Sequence, residues 1–162
     1  MKKILTIIAI SLLPALMFAQ KNLPSVDVKG LDGQSYDIQE VLEDKVPVVM
    51  LFWYTSCKPC VMELGALNDV YPDWMDEMEF KVVAVATDDS RSSSKVKPMV
   101  NGRGWTDFTV VCDENGDLQR AMNIQTHPVT LVLDKEGNVV YTHIGYAPGN
   151  EVEIYDQLLK LQ

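Results

Sequence analysis

Two cysteines separated by two residues, Cys57-Lys58-Pro59-Cys60, stand where a long apolar run gives way to a helical pattern. A cysteine at a helix N-terminus faces unpaired backbone N–H groups and the positive end of the helix dipole. Both stabilise a thiolate, and a second cysteine one turn further on lies within disulfide reach. Pro59 falls in the first helical turn, where its missing N–H removes no helix hydrogen bond. The same spacing also serves half of a zinc site, a haem attachment or a structural disulfide. Haem attachment needs a histidine after the second cysteine, and residue 61 is Val61. Zinc needs two further ligands, and only Cys112, His127 and His143 are on offer, at scattered spacing. Thiol redox exchange is the chemistry that this strand-to-helix context favours.

The elements that must position the pair are legible around it. Residues 46–54 form a continuous apolar stretch without polar alternation, as expected of a central strand buried on both faces. Val61, Leu64, Leu67 and Val70 recur at three- and four-residue spacing, which predicts an amphipathic helix over 58–78 that Pro72 should kink or divide. Residues 80–86 read as a second buried strand, and Asp88-Asp89-Ser90 as caps for a helix over 92–101. A third strand is expected over 107–112, a short helix over 118–122 and a fourth strand over 129–133. Lys135-Glu136-Gly137-Asn138 turns the chain into a fifth strand over 139–144, and an amphipathic helix over 151–161 closes it. Upstream, extended runs on either side of Leu31-Asp32-Gly33 predict an N-terminal β-hairpin, followed by a helical turn over 38–43. This order predicts an α/β domain with a central mixed β-sheet flanked by helices.

These stretches together resemble the thioredoxin superfamily, and more closely its exported TlpA/ResA-type thiol:disulfide oxidoreductases. The resemblance is carried by the run from Val48 through Phe52-Trp53-Tyr54-Thr55-Ser56-Cys57-Lys58-Pro59-Cys60, by Glu63-Leu64, by His127-Pro128-Val129-Thr130 with the strand and turn after them, and by Gly145. It spans residues 24–161 and implies a thioredoxin-like fold. It also implies that Cys57 attacks, that Cys60 resolves, and that Pro128 is a cis-proline whose loop pairs with substrate. Glu63 matches a glutamate that such proteins place near the active site. Three residues after Cys60 it faces the same side of the helix, where it could carry protons to or from the resolving thiol; the competing reading is a solvated helix-face glutamate. Leu51 stands where ordinary thioredoxins carry a buried aspartate, so a proton carrier must come from elsewhere or from water.

Other positions depart from the family. Ser56 replaces a tryptophan common before the first cysteine, and His127 stands where many relatives carry an aliphatic residue or threonine. A protonated His127 beside Cys57 would favour the thiolate, as would Lys58, and both would make the pair more oxidising. Phe52 is expected in the core and Trp53 as a wall of the active site. A peroxiredoxin of the AhpC/TSA type shares the fold but wants Pro-x-x-x-Thr-x-x-Cys, and this chain has Met50 and Tyr54 at the proline and threonine positions. A copper carrier using Cys57, Cys60 and His127 is the reading from another functional class, although the spacing differs from the Cys-x-x-x-Cys of thioredoxin-fold copper chaperones.

Composition sets the setting. The 162 residues include 23 acidic and 14 basic side chains, with a formal charge of −9 and 47% apolar content. These values suit one globular domain and argue against nucleic-acid binding, which needs clustered Lys and Arg. Lys2 and Lys3 precede sixteen uncharged residues, thirteen of them apolar, ending at Ala19. Residues 1–19 therefore read as a signal peptide and 20–162 as the thioredoxin-like domain, in the periplasm or secreted; a retained membrane anchor is the alternative. Without the leader, 12 basic residues face 23 acidic ones, a formal charge of −11. Export places the cysteines in an oxidising compartment. Cys112 is expected to be a packed core thiol. The expected partners are protein substrates bearing disulfides or thiols and a membrane thiol electron donor. The chain is expected to be a monomer that needs no organic cofactor or metal.

Overall fold

The structure is a computed structural model that describes residues 22–162, so the leader expected over 1–19 lies outside the described residues. A hairpin of β1 (Asp27–Gly30) and β2 (Ser35–Asp37) leads into a 3₁₀ turn, Ile38–Leu42, and then into β3 (Val48–Trp53) and α1 (Lys58–Glu77). β4 (Lys81–Ala86) is next, then a second 3₁₀ turn and α2 (Val96–Arg103), β5 (Thr109–Cys112), α3 (Asp117–Ala121), β6 (Val129–Leu133), β7 (Val139–Ile144) and α4 (Glu151–Leu159).

The seven strands form one mixed sheet in the order β2-β1-β5-β4-β3-β6-β7. β3, β4 and β5 run parallel, whereas β6 is antiparallel to β3, β7 to β6, and β1 to both β5 and β2. All six residues of β3 are buried, as the unbroken apolar run predicts for a strand covered on both faces. Its alternate side chains feed two cores. Val49, Leu51 and Trp53 meet α1, α2 and α4, while Val48, Met50 and Phe52 meet the first 3₁₀ turn and α3.

Register brings the chemistry to one edge of the sheet. Trp53 pairs with Ala86 and Ala86 with Cys112, so β3, β4 and β5 end level. Because β6 runs the other way and pairs Val129 with Phe52, the residues entering β6 arrive at the same edge. The cysteine turn, the segment after β4 and the His127-Pro128 loop therefore meet there.

α1 continues through Pro72, so the helix is not divided there. Pro72 lies on the exposed face, so the backbone carbonyl it leaves without an N–H partner is on the solvent side. Leu64, Leu67 and Trp74 anchor the helix to the core on both sides of it. The helix expected over 92–101 is instead a 3₁₀ turn, Ser93–Lys95, continued by α2, which ends on Gly104 in the left-handed conformation (φ 72°).

Candidate active site

β3 stops at Trp53, and the N–H of Cys57 donates to the Tyr54 carbonyl (2.9 Å), closing the turn that starts α1. Cys57 is the N-cap of α1, and its Sγ accepts from the N–H of Cys60 (3.3 Å). A thiolate there is stabilised by the N–H groups that the first helical turn leaves without partners. The two cysteines form a disulfide with Cα atoms 5.3 Å apart. Cys57 retains 4% exposure and Cys60 none, so the first cysteine is the one an incoming sulfur can reach.

The turn is pinned from β4. Asp88 is buried and accepts from the Thr55 N–H (2.9 Å) and the Thr55 hydroxyl (2.6 Å). Sequence places Asp88 among helix caps, but it is Asp89 whose carboxylate accepts from the N–H groups of Arg91 and Ser92, while Asp88 points inward. Thr87 continues the same link. Its N–H (2.8 Å) and hydroxyl (3.1 Å) both reach the Trp53 carbonyl.

Glu63 comes one turn after Cys60 along the buried face of α1 and is 2% exposed, so it is no solvated helix-face residue. The Thr130 hydroxyl donates to its Oε1 (2.6 Å), and Oε2 has no hydrogen-bond partner. Burial pushes the Glu63 carboxyl up to about 7, against the lowering effect of the Thr130 hydrogen bond and with a further rise from Glu151 of α4. Thr130 is the cross-strand neighbour of Leu51. The carboxylate that β3 lacks at Leu51 thus arrives from the helix.

The His127–Pro128 peptide bond is cis, and the Pro128 carbonyl accepts from the Gly145 N–H (2.9 Å). His127 is half-buried, its Nε2 3.1 Å from the Thr87 hydroxyl and its ring edge-on to Tyr54 at 5.2 Å. Burial lowers its pKa below the ordinary imidazole value, which at neutral pH favours the neutral ring over the protonated form that would stabilise a Cys57 thiolate. Trp53, expected as a wall of the site, is corrected. It is fully buried and packs edge-on against Trp105 (5.6 Å), so it backs the site and offers substrate no surface. Both faces of β3 are covered, which leaves no outward side for its last residue. Lys58 is exposed. Cys112 is half-buried and does not pack as a closed core thiol; it lines a cavity of about 560 Å³ with Lys29, Lys97 and Glu114. Among the described residues no group of three His, Cys, Asp or Glu side chains is placed to hold a metal ion.

Thr87 and Asp88 are the site residues that sequence reasoning missed. Their only signal is position, directly after a buried strand, and it gains meaning once β4 is known to pair with β3.

Residues 19–142 match the sequence profile of the AhpC/TSA family. The chain belongs to this family. The thiol-disulfide oxidoreductase ResA of Bacillus thuringiensis (strain Al Hakam) is 30% identical over 135 residues, which is 83% of this chain and 75% of that protein. An uncharacterized thioredoxin-like protein from Porphyromonas gingivalis superposes with a TM-score of 0.77 at 37% identity, covering 88% of this chain and 92% of that one. A putative thiol:disulfide interchange protein DsbE from Chlorobium tepidum has the same fold, with a TM-score of 0.74 at 21% identity over 88% of this chain and 96% of that one. The thioredoxin-like fold expected from sequence is the observed one, and the protein is a thiol:disulfide oxidoreductase of the ResA type. Met50 and Tyr54 still occupy the positions where a peroxidatic site needs proline and threonine.

Proposed function

We propose that this oxidoreductase is exported and reduces disulfides in protein substrates. The observation that carries the reading is Cys57 at the N-terminus of α1, disulfide-bonded to Cys60, with the buried Glu63 one turn further along the same face. In the reduced enzyme the Cys57 thiolate attacks one sulfur of a substrate disulfide. A Cys57–substrate disulfide forms and the other substrate sulfur leaves as a thiolate. Cys60 then gives its proton to the Glu63 carboxylate and attacks Cys57 Sγ. The mixed disulfide breaks, the second substrate thiolate departs, and two electrons have passed from the pair to the substrate. A carboxyl held near 7 both accepts and returns a proton at neutral pH.

Pro128 and His127 form the loop that meets the substrate. Exchange needs no organic cofactor and no metal. Continued turnover needs an electron donor, for which a membrane thiol relay is the natural class. Cytochrome c maturation and envelope thiol maintenance are settings that would use a monomeric enzyme of this kind. The basic and apolar leader over 1–19 supports export to the periplasm or beyond. Among the described residues no helix is long and apolar enough to cross a membrane.

The direction of electron flow is tested by rapid alkylation in intact cells and subsequent mass spectrometry of the pair. A reductase is found mainly as the dithiol, and a pair found mainly oxidised would overturn that direction.

A further inference from the structure

The Thr87 hydroxyl touches both segments that carry the chemistry. It lies 3.1 Å from the carbonyl of Trp53, the last residue before the cysteine turn, and 3.1 Å from Nε2 of His127, the residue before Pro128. A hydroxyl has one proton to donate. If that proton goes to the Trp53 carbonyl, the ring must present Nε2–H to the hydroxyl oxygen, and both contacts are donor to acceptor. If it goes to the ring, the hydroxyl and carbonyl oxygens stand 3.1 Å apart with no hydrogen between them, which is repulsive. The first arrangement therefore prevails.

Nothing charged competes for the imidazole. The Tyr54 ring faces it from the cysteine turn and Thr87 from the end of β4, and among the described residues no carboxylate pairs with it. Its neutral form, favoured by burial, then has its lone pair on Nδ1, which has no protein partner among the described residues. Nδ1, separated from Nε2 by Cε1 alone, points away from the Thr87 contact.

We propose that Thr87 is a positioning residue for substrate recognition: it holds His127, the residue before Pro128, in the Nε2–H tautomer and so presents Nδ1 as a fixed acceptor for a hydrogen-bond donor on the substrate. This rests on Cys57–Cys60 being the exchange site with the His127-Pro128 loop against the substrate. The substrate class is a protein whose reactive cysteine is flanked by an N–H or O–H donor that reaches Nδ1. A chain with an aliphatic residue at this position would lack that preference.

The test is two-bond ¹H–¹⁵N NMR of the labelled full chain at pH 8, with the His127 resonances assigned by comparison with His127→Ala. The expected spectrum shows a protonated Nε2 and an acceptor Nδ1. Thr87→Val should bring the ring toward a mixture of tautomers, and Thr87→Ser should restore the wild-type pattern. In parallel, His127→Ala should raise KM for a protein disulfide about threefold to tenfold, the scale of one lost hydrogen bond, and Thr87→Val, which leaves part of the ring population in the Nε2–H form, should raise it by less, with Thr87→Ser rescuing it. Adding Thr87→Val to His127→Ala should cost nothing more, because Thr87 acts through the ring. A wild-type ring protonated on Nδ1, or a Thr87→Val protein with unchanged spectrum and KM, would overturn the proposal. A wild-type enzyme that reduces no protein disulfide overturns the underlying site reading instead, whatever the tautomer.

Discussion

Cys57 and Cys112 lie just beyond or at the ends of parallel strands at the same edge of the sheet, yet they stand in opposite environments. After β3 the chain enters α1 directly, and Cys57 caps the helix with its sulfur facing a backbone N–H. After β5 it enters an acidic loop, where Asp113 accepts from the Leu118 and Gln119 N–H groups and so occupies the start of α3. Cys112 faces carboxylates instead. Burial, then Glu114 and Asp88, push its thiol up to about 11, with Lys29 opposing. The reactivity of a thiol at a strand end is thus decided by the next element of the chain, a helix N-terminus in one case and an acidic loop in the other.

That contrast breaks most visibly by substitution. Cys57→Ser should lower the reduction of a protein disulfide by at least about 1,000-fold, because among the described residues no other thiol sits at a helix N-terminus with its sulfur exposed to attack, while Cys112→Ser should leave the rate within about twofold. Alkylation of the fully reduced protein at pH 7.5, mapped by mass spectrometry, should label Cys57 at least about 100-fold faster than Cys112. A thiol titrating near 11 is almost wholly protonated there.

The buried carboxylates sharpen the comparison. Glu63 titrates near 7 in the folded chain against 4.5 for an ordinary glutamate, so between these values the folded state holds a proton that the unfolded chain has released. Stability therefore falls as pH rises from about 4.5 to 7, by up to about 3 kcal/mol. Denaturant titrations should find Glu63→Gln more stable than wild type at pH 8 and equal to it near pH 4. Asp88→Ala leaves the Thr55 N–H without its partner and should destabilise by about 1–3 kcal/mol in the same titrations. The smallest effect concerns His127. A neutral ring adds no charge to the cysteine pair, so His127→Ala should shift its reduction potential by less than about 30 mV, measured against glutathione.

Much of this architecture was legible because the strands are unbroken apolar runs. The bounds of β6 and β7 are set by the turn between them, where Gly137 adopts φ 85°. The cysteine pair was legible through its place between strand and helix. The supporting groups were not, because each depends on a partner far away in the chain. The burial of Glu63 shows only beside Thr130, 67 residues on, and Asp88 looks like a cap until Thr55, 33 residues earlier, meets it. The unbroken apolar run marks β3 as buried on both faces, but whether its last residue still borders the site depends on Trp105, 52 residues on, which packs over the Trp53 ring. For His127 the sequence supplies the titratable ring and the fold supplies the burial that keeps it neutral.

The central claim is tested most directly by incubating reduced Cys60→Ser protein with a disulfide-bonded protein substrate and mapping the trapped mixed disulfide by mass spectrometry. The account predicts a single adduct, on Cys57. An adduct on Cys112, or none under conditions where Cys57 is a free thiol, would contradict it.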